Sequence, residues 1–115
     1  MRRGEVRWVD LDPARGSEAS KRRPAVVVSN DAANAAAVVH GRGVVTVVPV
    51  TSNVGTVLPF QVLLPRRASG LAKDSKAQAE QVRAVAVDRI GALVALLPPH
   101  LVAEVDDALR LHLSL

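Results

Sequence analysis

Residues 2–31 read RRGEVRWVDLDPARGSEASKRRPAVVVSND, and the succession of three segments inside that stretch decides the architecture. Over residues 5–11 side chains alternate, with Val6 and Trp8 on one face and Arg7 and Val9 on the other, the period-two signature of a first strand. Residues 12–23, DPARGSEASKRR, are turn formers and charges and predict a long polar loop. Pro24 then opens an unbroken apolar run, Ala25 to Val28, as expected of a central strand covered on both faces. Ser29-Asn30-Asp31 supplies an N-cap signal, so a short helix is expected over residues 31–37.

Working outward, the same grammar repeats. Gly41-Arg42-Gly43 is a turn before a β-branched run from Val44 to Thr51. A loop over 52–58 leads to a strand from Phe60 to Leu64, and residues 65–75 read as loop. KAQAEQV (76–82) sets Lys76, Gln78 and Glu80 against Ala77 and Ala79, which predicts one strand running on to Arg83. Short extended pieces follow around Ile90 and residues 93–96. Pro98-Pro99 ends the series and starts a helix in which Leu101, Val105, Leu109 and Leu113 recur every four residues, with Asp106 four before Arg110. Many short strands, one long early loop and a closing helix predict a mostly β fold: a small, strongly bent β-barrel with helices on its outside, one domain over 1–115.

Composition narrows the chemistry. Trp8 and Phe60 are the only aromatics, so branched aliphatics must fill the core. Lys and Arg outnumber Asp and Glu by 15 to 11, a net +4 that suits a polyanionic partner and equally serves solubility. The absence of cysteine removes disulfides and thiolate nucleophiles and fits a reducing compartment. The charged start MRRGEVRWVDLD lacks the apolar stretch of a signal peptide, and no apolar run reaches the roughly 18–20 residues that span a bilayer. A soluble, cytoplasmic protein without a membrane contact is the expectation. His40, His100 and His112 show no metal-pair spacing, and Asp10 and Asp12 read better as a strand-end turn cap than as ligands. Phosphate-cradling glycine loops and a GxSxG nucleophile turn are both missing, so neither a metal nor a cofactor is expected.

Polar residues that interrupt apolar strands gather at strand ends. Arg23 stands at the mouth of PAVVVS, Thr51 closes VVTVVPV and is followed by Ser52 and Asn53, and Glu80, Gln81 and Arg83 end the KAQAEQVR segment. If those strands are neighbours, the three clusters line one groove. Each cluster also has an ordinary reading: a solvated Arg before Pro, a Thr completing a turn, an exposed strand face. Position alone leaves both open.

The motifs in these blocks resemble those of the MazF/PemK (Kid-like) toxins of bacterial toxin–antitoxin pairs. Gly4-Glu5-Val6, Asp10-Leu11-Asp12-Pro13, Gly16-Ser17-Glu18 and Arg23-Pro24 with Ala25 to Asn30 are similar to the family's N-terminal signature. VVPVTSN (47–53) and AEQVRAV (79–85) follow in the same order and spacing, and LRLHLSL ends a helix similar to the family's last. The resemblance implies an SH3-like barrel in a two-fold homodimer. It also implies a metal-independent, sequence-selective endoribonuclease that cuts single-stranded RNA to 2′,3′-cyclic phosphate and 5′-hydroxyl ends. The implied partner is a MazE-like antitoxin whose disordered, often acidic tail fills the RNA groove. By position, the essential Arg falls on Arg23 and the essential Thr/Ser on Thr51, with Glu80 a candidate base. Glu18, Ser52, Asn53, Gln81 and Arg83 would hold RNA. Two departures stand out. Ala19-Ser20-Lys21-Arg22 replaces a loop that is glycine-rich in many relatives, and Gln78 occupies the place of an Arg in the Kid-like branch.

The chemistry implied asks the protein to align a 2′-hydroxyl with its neighbouring phosphate, stabilise the phosphorane charge and assist proton movement. Arg23 suits the charge and, being permanently protonated, makes a poor base. With two aromatics in the chain, base selection is expected to come from hydrogen bonds by Gln81, Asn53 and Arg83 rather than from stacking. A gyrase-poisoning toxin on the same barrel, acting through the C-terminal helix, is the rival reading.

Overall fold

The computed structural model describes all residues, 1–115. Its elements run β1 (Glu5–Asp10), β2 (Arg22–Val27), α1 (Asp31–His40), β3 (Val44–Thr51), β4 (Gln61–Leu64), α2 (Arg66–Ser69), β5 (Ser75–Gln78), β6 (Arg83–Ala86), β7 (Ile90–Leu96) and α3 (Pro99–Leu113). Two single-turn 3₁₀ pieces, Ala79–Gln81 and Val87–Arg89, separate the last three strands.

The strands form one antiparallel sheet in the order β4-β5-β3-β2-β1-β7, and β6 pairs β3 off that path. β3 is the spine. One of its edges carries β2, while the other is shared: Val44 to Val47 pair with β6, and Val50 and Thr51 pair with β5. Pro49, with no N–H to donate, falls in the gap where β3 changes partners on that edge. No ladder joins β4 to β7, so the small, strongly bent barrel expected from sequence takes the form of a bent sheet left open between those two strands.

Alternation along the two central strands builds two cores. Val26, Val48 and Val50 point into a 13-residue cluster that α3 covers with Leu101, Val105 and Ala108. Ala25, Val27, Val45 and Val47 point the opposite way, into an eight-residue cluster with Leu11, Val9 and Ala37 of α1. Burial on both faces is why the apolar run 25–28 is continuous rather than alternating.

Several boundaries move, each for a local reason. KAQAEQVR is not one strand. Ala77 and Ala79 are both 1% exposed, so the two-residue pattern is real, but Val82 N donates to Ala79 O and folds residues 79–81 into a tight turn. Arg83 therefore opens β6 instead of ending β5. α1 continues three residues beyond the expected end because its stop is Gly41, in the left-handed region at φ 64°. The segment 65–75, read as loop, contains the short α2. Along α3 each four-residue step overshoots a full turn by about 40°, so the stripe drifts: Leu101 and Val105 are buried, Leu109 is half-buried and Leu113 is exposed, while Ala108 takes the inward place. Asp106 pairs with Arg3 rather than with Arg110, which instead takes Asp107. No helix is long and apolar enough to cross a membrane.

Candidate functional site

Arg23 and Thr51 come together because β2 and β3 are hydrogen-bonded neighbours. The ladder runs Ala25 to Pro49 and Val26 to Val48; carried two residues further, it sets Arg23 opposite Thr51. Both line a recess of about 270 Å³, with Trp8, Pro24, Leu71 and Lys73 among its other walls and Ser52 at its rim.

Local hydrogen bonds fix what each group offers. Arg23 Nε donates to Ser20 O at 2.8 Å, which sets the guanidinium plane and leaves both Nη groups without a partner in the chain. Thr51 Oγ1 accepts from Asn53 N at 3.2 Å, a hydroxyl turn that leaves the Thr51 O–H free to donate. Asn53 Oδ1 in turn accepts from Gly55 N, so Asn53 shapes the loop that starts at Thr51. The same loop is tied down farther on by Lys76 Nζ, which donates to Thr56 O. A recess with a fixed, free guanidinium edge beside a free hydroxyl donor is suited to an oxyanion such as a phosphodiester.

The single groove expected for all three clusters divides in two. Glu18, Glu80, Gln81 and Arg83 line a second recess with Ala19 and Val82, of about 270 Å³, and none of them lines the first. The 3₁₀ turn Ala79–Gln81 is the cause, since it swings these side chains away from the line β5 would have continued. Glu80 Oε2 accepts from Gln61 Nε2 at 2.6 Å, and its Oε1 is enclosed without a partner. Gln61 Oε1 accepts from Leu58 N, so the Glu80–Gln61 pair also braces the end of the 52–58 loop. Gln81 bonds the backbone of residues 17–19 through both ends of its amide. Arg83 Nη1 donates to Leu11 O. Glu18 is exposed on the loop. No three of the His, Asp and Glu side chains converge in a set able to hold a metal ion.

Sequence reading missed Trp8, Lys73, Lys76 and Gln61. Trp8 shares its strand face with fully buried Val6, yet it is 38% exposed because the β1–β7 register shifts between Arg7 and Val9 and opens the sheet there. Its ring carries the Arg22 guanidinium 5.7 Å from the centroid. A lone Trp in an otherwise aromatic-poor chain was the available signal.

Residues 2–113 match the family model described as a PemK-like, MazF-like toxin of type II toxin–antitoxin systems. The chain belongs to that family. It is 59% identical over its full length to the endoribonuclease MazF9 of Mycobacterium tuberculosis, covering 98% of that protein. It is 33% identical to the endoribonuclease MazF2 of Mycobacterium bovis, with 98% of this chain and 96% of that one aligned. Among solved structures, MazF of Deinococcus radiodurans superposes with a TM-score of 0.77 at 28% identity, covering 100% of this chain and 97% of the other. A MazE–MazF complex from the same organism gives a TM-score of 0.72 at 26% identity, covering 100% and 96%. The bent sheet with its C-terminal helix is thus the fold of the MazF toxins.

Proposed function

We propose that this protein is the toxin of a type II toxin–antitoxin pair and an endoribonuclease that cuts single-stranded RNA, mRNA foremost, without a metal ion. The observation that carries the reading is the recess lined by both Arg23 and Thr51, with a guanidinium edge and a hydroxyl donor uncommitted. The endoribonucleases MazF9 and MazF2, similar to this chain over nearly its whole length, support the reading.

In the reaction, the 2′-hydroxyl attacks the adjacent phosphorus in line, the 5′-oxygen leaves, and the products are a 2′,3′-cyclic phosphate and a 5′-hydroxyl. Arg23 Nη groups bind the non-bridging oxygens and stabilise the added charge of the phosphorane, while the Thr51 O–H donates to one of those oxygens. Arg23 stays protonated throughout, so the 2′ proton is lost to solvent water and the leaving 5′-oxygen takes a proton back from solvent to become the 5′-hydroxyl. Glu80 lies in the adjoining recess with one oxygen held by Gln61, and we assign it to the wall that supports the site ahead of the proton transfer itself. Ser52 and Asn53 at the start of one loop, and Glu18 and Arg83 around the second recess, are the groups for RNA on either side of the cut. Growth arrest by message cleavage in the cytoplasm, a homodimer, and neutralisation by a MazE-like antitoxin complete the assignment; the solved MazE–MazF complexes of a similar toxin support the last.

The test is incubation of purified protein with a long single-stranded RNA in EDTA, followed by end mapping. Discrete cuts bearing cyclic-phosphate ends are expected, and Arg23→Ala or Thr51→Val should each lower the rate about 100-fold or more. Full cleavage by either variant would overturn the site. No cuts by the parent protein, alongside trapped gyrase–DNA complexes, would overturn the activity in favour of gyrase poisoning.

A further inference from the structure

The two recesses touch through a single relay. Ala19 N donates to Gln81 Oε1 at 3.0 Å, and Gln81 Nε2 donates to Ser17 O at 2.9 Å. One residue beyond Ala19, Ser20 O accepts from Arg23 Nε at 2.8 Å. Gln81 is 62 residues from Ala19 in sequence, so a side chain on the 3₁₀ turn holds a distant loop by the pair of bonds a neighbouring strand would make.

The loop has few other anchors. Its base is closed by Leu11 N to Lys21 O and by Lys21 N to Asp12 Oδ1. Between residues 13 and 19 the remaining hydrogen bond is local, Glu18 N to Arg15 O, and the Ala19 methyl packs against the smaller core. Gln81 alone hydrogen-bonds these residues to the body of the fold. Ala19 and Ser20 each carry a Cβ, which narrows the backbone this stretch can adopt once clamped.

We propose that Gln81 is a positioning residue: by clamping Ser17 and Ala19 it fixes the Ser20 carbonyl, and through that carbonyl it sets the plane of the Arg23 guanidinium. The inference rests on the reading that Arg23 works on the scissile phosphate. Both ends of the Gln81 amide are engaged with loop backbone, so its effect on RNA passes through Arg23. Loosening the clamp lets the guanidinium swing, which weakens its match to the phosphorane more than its attraction for ground-state RNA.

Gln81→Ala should therefore lower kcat about tenfold while KM stays within about twofold, and the same RNA positions should be cut. Gln81→Glu keeps the acceptor for Ala19 N but sets a carboxylate against Ser17 O, and should fall with it. In an Arg23→Lys background, which keeps the charge but loses the Nε bond, Gln81→Ala should add no further loss. Independently of activity, Gln81→Ala should speed amide exchange at Ala19 and shift the Arg23 Nε–H resonance, with β2 and β3 amides unchanged. Altered cleavage positions, or a full loss retained in the Arg23→Lys background, would instead make Gln81 a direct RNA reader. Unchanged exchange at Ala19 and an unmoved Arg23 Nε–H would overturn the clamp itself. A parent protein that cuts no RNA would defeat the endoribonuclease reading, while the two spectroscopic readouts would still decide the relay.

Discussion

At the scale of single residues, Thr51 and Arg23 are defined as much by what they already hold as by what they leave free. The Asn53 N–H takes one lone pair of Thr51 Oγ1, and the Ser20 carbonyl takes Arg23 Nε, so each side chain is oriented before any substrate arrives. Their positions were legible in the sequence, because a polar residue that ends an apolar strand has no core to enter. Trp8 was not. Its alternation with Val6 argued for the interior, and only the register shift against β7 turns it out beside Pro24 and Thr51. That placement restores a stacking surface that composition had seemed to deny. A base docked on this ring is worth about 1–3 kcal/mol, so Trp8→Ala should weaken short single-stranded RNA about tenfold or more. Trp8→Phe should keep most of the affinity. Fluorescence anisotropy on a Thr51→Val background, where the RNA survives, measures both; equal binding by Trp8→Ala would remove stacking from the account.

At the scale of elements, strand existence was readable wherever an apolar run was long, and β3 falls on the expected residues 44–51. What periodicity could not register was a change of backbone beneath an unchanged burial pattern, as between Ala77 and Ala79. The division of the site into two recesses follows from that one turn. The Leu stripe of α3 likewise counted a strict four-residue repeat where the helix turns in 3.6, and so took in Leu113. The attachment of α1 was hidden for a different reason, since it depends on a polar knot rather than on an apolar stripe. Asn34, fully buried, donates to Ser29 O and accepts from Ser29 Oγ, while Ser29 Oγ accepts from Thr46 N on β3. Removing Asn34 leaves the half-buried Ser29 carbonyl and hydroxyl without their partner, so Asn34→Ala should lower stability by about 1–3 kcal/mol. Asn30→Ala, which deletes only the exposed cap to Ala33 N, should lower it by about 1 kcal/mol. Paired denaturant titrations give both values; equal losses would mean the knot adds nothing to an ordinary cap.

At the scale of the whole molecule, a net +4 says little until the cations are sorted by what already holds them. Arg3, Arg7 and Arg110 are paired with carboxylates, and Lys76, Arg83 and Arg89 donate to backbone carbonyls. Arg23 and Lys73 line the recess with no carboxylate partner, and Arg22 stands beside them over Trp8. Arg22, Arg23 and Lys73 thus set three cations without a carboxylate partner around the place where β2 and β3 present Arg23 and Thr51. Three phosphate contacts on a single strand should give a slope of about −2 when the logarithm of the RNA association constant is plotted against that of the salt concentration. Replacing Lys73 by Ala should flatten the slope by about 0.7, the release expected for one contact. Arg42 lies beyond the opposite end of β3, more than about 20 Å of strand away, and Arg42→Ala should leave the slope unchanged. A slope near zero for the parent protein, or an equal change from Arg42→Ala, would mean that RNA is not held by the charges around the Arg23–Thr51 recess.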